Sequence, residues 1–150
     1  DAVGGYQESK FFEAGDKVAV AKTPFGNIGL MVCYDLRFPE LALMLRQQGA
    51  NILTAPAAFT YTTGQLHWQL LLQARAMDSQ CYVLGAAQQG WHGEQRQTWG
   101  HAGITDSRGQ LLEMIHTEGH GLMTCPFDLA EQNAIRLAMP LMQHRKLIHY

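Results

Sequence analysis

The sequence predicts a layered α/β fold in a single globular domain. Short apolar runs typical of strands alternate with amphipathic runs at helical spacing. Glycine- and proline-rich turn signals separate these runs. The chain has 150 residues, of which 47% are hydrophobic, and a chain of this size and composition can bury one core.

The first half of the chain predicts three strands and two helices. A Pro-Phe-Gly turn separates the first two strands, and Pro39 suits the first turn of the next helix, which Gly49 stops. Pro56 closes the third strand. The predicted elements are strands at 17–23, 27–34 and 50–55, helices at 40–48 and 65–80, and a loop at 59–64.

The second half predicts more strands and one short helix before Pro140. Its predicted elements are strands at 81–87, 101–105 and 121–127, a polar loop at 88–100, a turn at 106–109 leading into 110–115, and a helix at 130–137. The basic, aromatic tail at 143–150 is expected on the surface or in an interface. Leu70, Ala74 and Met77 are predicted to be core residues of the second helix.

Charge and hydropathy argue against nucleic-acid and membrane partners. The formal net charge is -2, and the lysines and arginines are scattered rather than gathered into a phosphate-binding stripe. No apolar run approaches the roughly 20 residues that cross a bilayer, and the first residues lack a signal-peptide pattern. The expected compartment is the cytoplasm.

The three cysteines do not form a pattern typical of a disulfide framework or a zinc site. Cys33, Cys81 and Cys125 are widely separated and lie in apolar surroundings rather than in Cys-x-x-Cys pairs. His116 and His120 have a spacing found in metal sites, but their glycine-rich loop offers no further ligands. The sequence therefore predicts neither a metal nor an organic cofactor.

Cys33 is the candidate nucleophile because of its position. It falls at the carboxyl end of a predicted strand, just before a turn into a helix, where open α/β sheets present reactive groups. A thiolate there can attack an acyl carbon, and the backbone N–H of Tyr34 would stabilise the resulting oxyanion. Position alone leaves open a second interpretation, in which Cys33 is a small, inert hydrophobic residue.

The residues around Cys33 resemble a family motif. The run Gly29-Leu-Met-Val-Cys-Tyr-Asp-Leu-Arg-Phe-Pro-Glu-Leu41 is similar to the nucleophile motif of the nitrilase superfamily, the carbon-nitrogen hydrolases. Further segments agree in order, from Tyr6-Gln-Glu-Ser-Lys10 to Pro140-x-x-x-His-Arg145, so the resemblance spans nearly the whole chain. Phe-Thr-x-Thr-Thr-Gly-x-x-His-Trp and Gln-Cys-Tyr-Val most resemble the Nit1 branch, which hydrolyses deaminated glutathione.

The resemblance implies a four-layer α-β-β-α sandwich, of which residues 1–150 are the C-terminal portion of a carbon-nitrogen hydrolase domain. It also implies a Glu-Lys-Cys triad, in which Cys33 matches the cysteine. The family's lysine and first glutamate lie on segments that precede the equivalent of Asp1. A homodimer or higher homo-oligomer is implied too, with tail residues crossing the interface.

Several further residues are expected at the site through the same resemblance. Glu8 matches a second family glutamate that supports the lysine and the substrate. Arg37 is expected either to contact substrate or to pair with Glu40. Phe59, Thr60, Thr62 and Thr63 fall on a segment expected to face the pocket. The pair His67-Trp68 is interpreted as packing or interface.

The function implied is an amidase acting on a small molecule. Cys33 would form a thioester with the acyl part of deaminated glutathione or a related ω-amide, and ammonia or an amine would leave. Two alternatives stay open. One is a truncated, non-catalytic remnant of such an enzyme, and the other is an ω-amidodicarboxylate amidase, nitrilase or carbamoylase of the same superfamily.

Overall fold

The computed structural model describes residues 8–116 and 119–146. The helices are α1 (Pro39–Gln47), α2 (Tyr61–Ser79), α3 (Leu129–Ala138) and α4 (Leu141–His144), with 3-10 helices at Glu8–Lys10 and Cys33–Arg37. The strands are β1 (Val20–Thr23), β2 (Gly26–Leu30), β3 (Ile52–Thr54), β4 (Tyr82–Gly85), β5 (Gln89–His92), β6 (Arg96–Trp99), β7 (Gly103–Thr105) and β8 (Leu111–Met114).

One six-stranded sheet organises these elements, in the order β1-β2-β3-β4-β7-β8. The central strands β2, β3 and β4 run parallel, and the outer pairs are antiparallel. Strands β5 and β6 form a separate antiparallel hairpin. The predicted α/β class is confirmed, and the parallel strands present three carboxyl ends along one edge of the sheet.

Helices α1 and α2 cover one face of the sheet. Leu45 of α1, Leu53 of β3, and Trp68 and Leu72 of α2 belong to one buried cluster. Helix α2 lies so close to the sheet that a Cβ on Gly85 would fall 2.7 Å from Leu72 Cδ2. The described residues thus supply one sheet and one helix layer.

The opposite face of the sheet is only partly covered by the described residues. Ile52, Tyr82 and Ile104 are buried on this face, whereas Leu30 is 48% exposed. Apolar side chains at this exposure are typical of a surface made to be covered. This pattern agrees with the sheet-on-sheet contact of the four-layer sandwich that the resemblance implies.

The prediction that Leu70 and Met77 lie in the core is wrong. Their exposed fractions are 66% and 50%, whereas Trp68, Leu72 and Ala76 are fully buried. Helix α2 carries two apolar stripes, and the stripe that contains Trp68 faces the sheet. Helical spacing alone identifies both stripes and does not choose between them.

Three predicted segments differ in the structure. The loop at 59–64 is helical from Tyr61 onward, with Thr60 at the N-cap position of α2. The polar loop at 88–100 is the β5–β6 hairpin. The strand at 121–127 is wrong, since it pairs with no described strand; Phe127 instead packs edge-on against the Tyr82 ring at 4.9 Å.

Helix α3 packs at the end of the sheet opposite Cys33, against the residues just before β3 and β4. Asp128 caps it by accepting hydrogen bonds from the amides of Ala130 and Glu131. The fully buried Gln132 side chain exchanges hydrogen bonds with Asn51, just before β3. The Arg136 guanidinium donates to the carbonyl of Gln80, the C-cap of α2, and burial lowers its pKa.

Gly64 allows the first turn of α2 to touch β6. A Cβ on Gly64 would lie 2.2 Å from Trp99 Cβ. We expect Gly64→Ala to lower the free energy of unfolding by about 1–3 kcal/mol, because overpacking outweighs the helix propensity gained. Equilibrium unfolding in urea measures this. Gly15→Ala is the control, since its Cβ meets nothing within 4 Å, and an equal loss in both variants would contradict the expectation.

Candidate active site

The site lies where the three parallel strands end. Beyond β2, the Cys33 amide donates to the Pro56 carbonyl at 2.9 Å, and beyond β3 the Ala57 amide donates to the Ala86 carbonyl at 2.8 Å. These bonds continue the parallel pairing past the strands. Cys33, the segment after Pro56 and the segment after Ala86 are thereby held side by side.

Cys33 adopts an unusual backbone conformation. Its φ is +49°, in the left-handed region that non-glycine residues rarely occupy. The turn is fixed by Asp35, whose carboxylate accepts from the Val32 amide at 2.9 Å. The thiol is half-buried and lines an open cavity. Cys33 therefore lines the cavity while it also packs against the edge of the core cluster.

The Tyr34 amide follows Cys33 in the first turn of the 3-10 helix, and residues in a first helical turn have no intrahelical acceptor for their amides. The amides on either side have acceptors: the Cys33 amide donates to the Pro56 carbonyl, and the Asp35 amide donates to the Val32 carbonyl. No acceptor for the Tyr34 amide is found among the described residues. It therefore remains available as an oxyanion donor.

The cavity has a volume of about 1630 Å³ and collects most of the predicted site residues. Those that line it are Cys33, Tyr34, Arg37, Phe59, Thr60 and Thr63. Thr62 is exposed in α2 and does not line the cavity. Glu8 lies in the first 3-10 helix, and its side chain is outside what the structure describes.

Arg37 projects from the 3-10 helix into a mixed aromatic and polar setting. Its Nη1 lies 3.3 Å from Nδ1 of His67. Its guanidinium carbon lies 5.1 Å from the ring centre of Phe59 and 5.4 Å from that of Tyr34. The alternative in which Arg37 pairs with Glu40 is wrong, because the described residues form no such ion pair.

The wall behind Arg37 is rigid. Phe59 is buried and packs edge-on against Trp68 at 5.1 Å, and the Trp68 indole donates to the His101 carbonyl at 2.7 Å. The hydroxyls of Thr60 and Thr63 share a hydrogen bond of 2.7 Å at the start of α2. The packing interpretation holds for Trp68, while its neighbour His67 faces the cavity.

The sequence analysis did not identify several cavity residues that lie outside the segment 59–64. They are His67, His92, Arg96, His101 and His120. Three of them lie on or just after the hairpin that was predicted to be a polar loop, and polar residues in a loop carry no signal of facing a site.

The positive charges of the cavity wall are not matched by described carboxylates. Two arginines and four histidines line it, and none of the described lining residues is Asp or Glu. Arg96 is held in place through Nη2, which donates to the Ala58 carbonyl at 3.3 Å. A wall of this kind favours an anionic ligand.

The other two cysteines are removed from the cavity. Cys81 is fully buried, and burial raises the pKa of its thiol, so it stays protonated at neutral pH. Burial, followed by the charge of Glu113, raises the pKa of Cys125. Neither residue lines the cavity, so Cys33 is the thiol placed to meet a ligand.

Within residues 8–116 and 119–146, no three His, Cys, Asp or Glu side chains group as metal ligands. No helix in the same ranges has the length and hydropathy of a membrane span.

The mixed sheet has three parallel central strands, and Cys33 lies in a left-handed turn at their carboxyl ends, so the protein is an α/β protein with a thiol-centred site. Residues 2–137 match the family model described as carbon-nitrogen hydrolase. The chain belongs to the carbon-nitrogen hydrolase family.

The comparisons also identify individual relatives. The chain is 43% identical over 148 residues to the deaminated glutathione amidase of Yersinia enterocolitica, covering 99% of this chain and 51% of that protein. It therefore spans about half the length of this relative. The chain likewise spans 44% and 49% of the deaminated glutathione amidases of Mus musculus and Dictyostelium discoideum.

Solved structures confirm the fold. The C. elegans NitFhit protein matches with a TM-score of 0.84 and 38% identity, over 96% of this chain and 35% of that one. Nit3 of Saccharomyces cerevisiae, a member of branch 10 of the nitrilase superfamily, matches with a TM-score of 0.84 and 34% identity, over 93% and 51% of the two chains. The fold is that of the nitrilase superfamily.

Proposed function

We propose that this chain carries the nucleophile and acyl pocket of an amidase that acts on deaminated glutathione or a related anionic amide. The observation that carries the proposal is the cavity that brings the Cys33 thiol together with two arginines and four histidines and with no described Asp or Glu in its lining. The relatives named deaminated glutathione amidase support it.

The chemistry proceeds through a thioester. The Cys33 thiolate attacks the amide carbonyl carbon, and the Tyr34 N–H stabilises the oxyanion that forms. The C–N bond then breaks, and the nitrogen leaves as an amine or ammonia after gaining a proton. Water attacks the thioester, releasing the carboxylic acid and returning the thiol. The resemblance assigns proton transfer and further oxyanion stabilisation to a glutamate and a lysine ahead of Asp1, with Glu8 in support.

The substrate would be held by its carboxylate groups. Arg37 is placed to bind one of them, and the hydroxyls of Thr60 and Thr63 supply further donors at the same wall. Phe59 packs against the aliphatic part of the acyl group. Thr62 remains a weaker candidate because it faces away from the cavity.

The proposal also includes a homo-oligomer and a cytoplasmic location. The exposed apolar stripe of α2, with Leu66 and Leu70 each 66% exposed, supports a homo-oligomer of the kind that the resemblance implies. The expected compartment rests on the sequence alone.

The test compares substrates in two proteins: these 150 residues, and a chain extended upstream through the expected lysine. Primary-amine release is followed with deaminated glutathione, and ammonia release with ω-amides and an uncharged amide. We expect the extended chain to prefer deaminated glutathione by at least about tenfold in kcat/KM. A folded, extended chain that hydrolyses none of them would favour the non-catalytic remnant, and a preference for ω-amides would favour the ω-amidodicarboxylate alternative.

A further inference from the structure

One side-chain contact joins Arg37 to His67. Arg37 Nη1 lies 3.3 Å from His67 Nδ1. Because arginine side chains carry only donors, Nδ1 is the acceptor in this hydrogen bond.

This hydrogen bond is the directional restraint on Arg37. Within the described part of the chain, the Arg37 side chain makes no other hydrogen bond and no ion pair with a carboxylate. The rings of Tyr34 and Phe59 attract the guanidinium through their faces, but such contacts tolerate rotation and sliding. His67 lies on α2, a 19-residue helix packed on the core, so its ring is a firm support.

We propose that His67 is a positioning residue for anion recognition, holding the Arg37 guanidinium at the cavity wall so that it binds a carboxylate of the acyl group. The inference rests on the proposed function and names a residue that the family motif around Cys33 does not include. A ring nitrogen suits this role because it carries no negative charge that would offset the positive charge of Arg37. A carboxylate at position 67 would hold Arg37 as well but would neutralise it.

Two substitutions at position 67 separate positioning from packing. His67→Leu keeps a side chain of similar bulk but has no acceptor. His67→Asn is shorter but places an amide oxygen close to the position of Nδ1, so it preserves the acceptor. A residue that mattered only for packing would tolerate leucine better than asparagine, which is the reverse of what positioning requires.

The decisive experiment measures binding without turnover. Glutarate, a dicarboxylate with no scissile amide, is titrated by calorimetry into the full-length protein that carries this chain, with Cys33→Ala in every sample. We expect His67→Leu to weaken the dissociation constant about three- to tenfold and His67→Asn to leave it within about twofold. Equal affinity for the His67→Leu and parent proteins, or no binding of glutarate by the parent, would overturn the inference.

Kinetics with Cys33 intact supply a second readout. His67→Leu should raise KM for deaminated glutathione about three- to tenfold while kcat and the turnover of an uncharged amide stay nearly constant. An equal loss with both substrates would show a structural role and overturn the inference. If no amide is hydrolysed by the parent protein, the proposed function fails, and the glutarate series still decides the role of His67.

Discussion

Replacing Cys33 with alanine should lower kcat for deaminated glutathione by about four orders of magnitude or more in the catalytically complete chain. Removing the nucleophile of a covalent mechanism eliminates the thioester route and leaves only the contributions of binding and oxyanion stabilisation. Cys33 lies at the carboxyl end of the parallel strands, lines the cavity and is only half-buried, so its truncation should cost far more activity than stability. Primary-amine release at saturating substrate measures the effect.

Cys125→Ala is the matched control, because it removes a half-buried thiol that does not line the cavity. We expect activity within about twofold of the parent. Cys33→Ser adds a second comparison, since a serine hydroxyl ionises far less readily than a thiol and should also be nearly inactive. Amine release that persists in Cys33→Ala would exclude the thioester route.

The intermediate itself offers an independent readout. Mixing the active chain with substrate and quenching in acid should leave an acyl group on the peptide that contains Cys33, detected as a mass increase equal to the acyl fragment. The same peptide from Cys33→Ala should carry no such increase. An adduct on the Cys81 peptide instead would contradict the structure, because that thiol is fully buried and its pKa is raised.

The position of Cys33 was predictable because the signals are local. An apolar run that ends in a charged cluster indicates a strand end, and three neighbouring parallel strands bring their carboxyl ends together. The strand was nevertheless predicted to continue to Tyr34, whereas β2 ends at Leu30. Pairing with the next strand continues to Cys33, where the chain turns with a positive φ that a sequence pattern in a non-glycine residue does not reveal.

The rest of the cavity depends on contacts between distant segments. The β5–β6 hairpin pairs polar strands with each other, so it lacks the apolar alternation that identifies a half-buried strand. His67 and Trp68 are neighbours in sequence, yet one lines the cavity and the other fills the core. Which face of α2 meets the sheet is decided by packing, and this choice also determines which side chain reaches Arg37.

Replacing Arg37 with glutamine should lower kcat/KM for deaminated glutathione about tenfold to a hundredfold. A hydrogen bond between charged groups contributes about 1.5–3 kcal/mol, and glutamine keeps neither the charge nor the two-pronged donor geometry. Most of the loss should appear in KM, because the carboxylate is bound in both the ground state and the transition state. Steady-state kinetics across a range of substrate concentrations separate the two constants.

An uncharged amide of similar length tests whether the effect of Arg37 is electrostatic. Its turnover should change little in Arg37→Gln, since no carboxylate loses a partner, whereas a collapsed cavity would slow both substrates. Arg37→Lys is a further comparison, because it keeps the charge but neither the forked donor geometry nor the stacking over Phe59 and Tyr34. Its kcat/KM for deaminated glutathione should fall between the values of the parent and the glutamine variant. If lysine performs as badly as glutamine, geometry rather than charge governs recognition, and the contact from His67 that orients the guanidinium becomes the decisive feature of the acyl pocket.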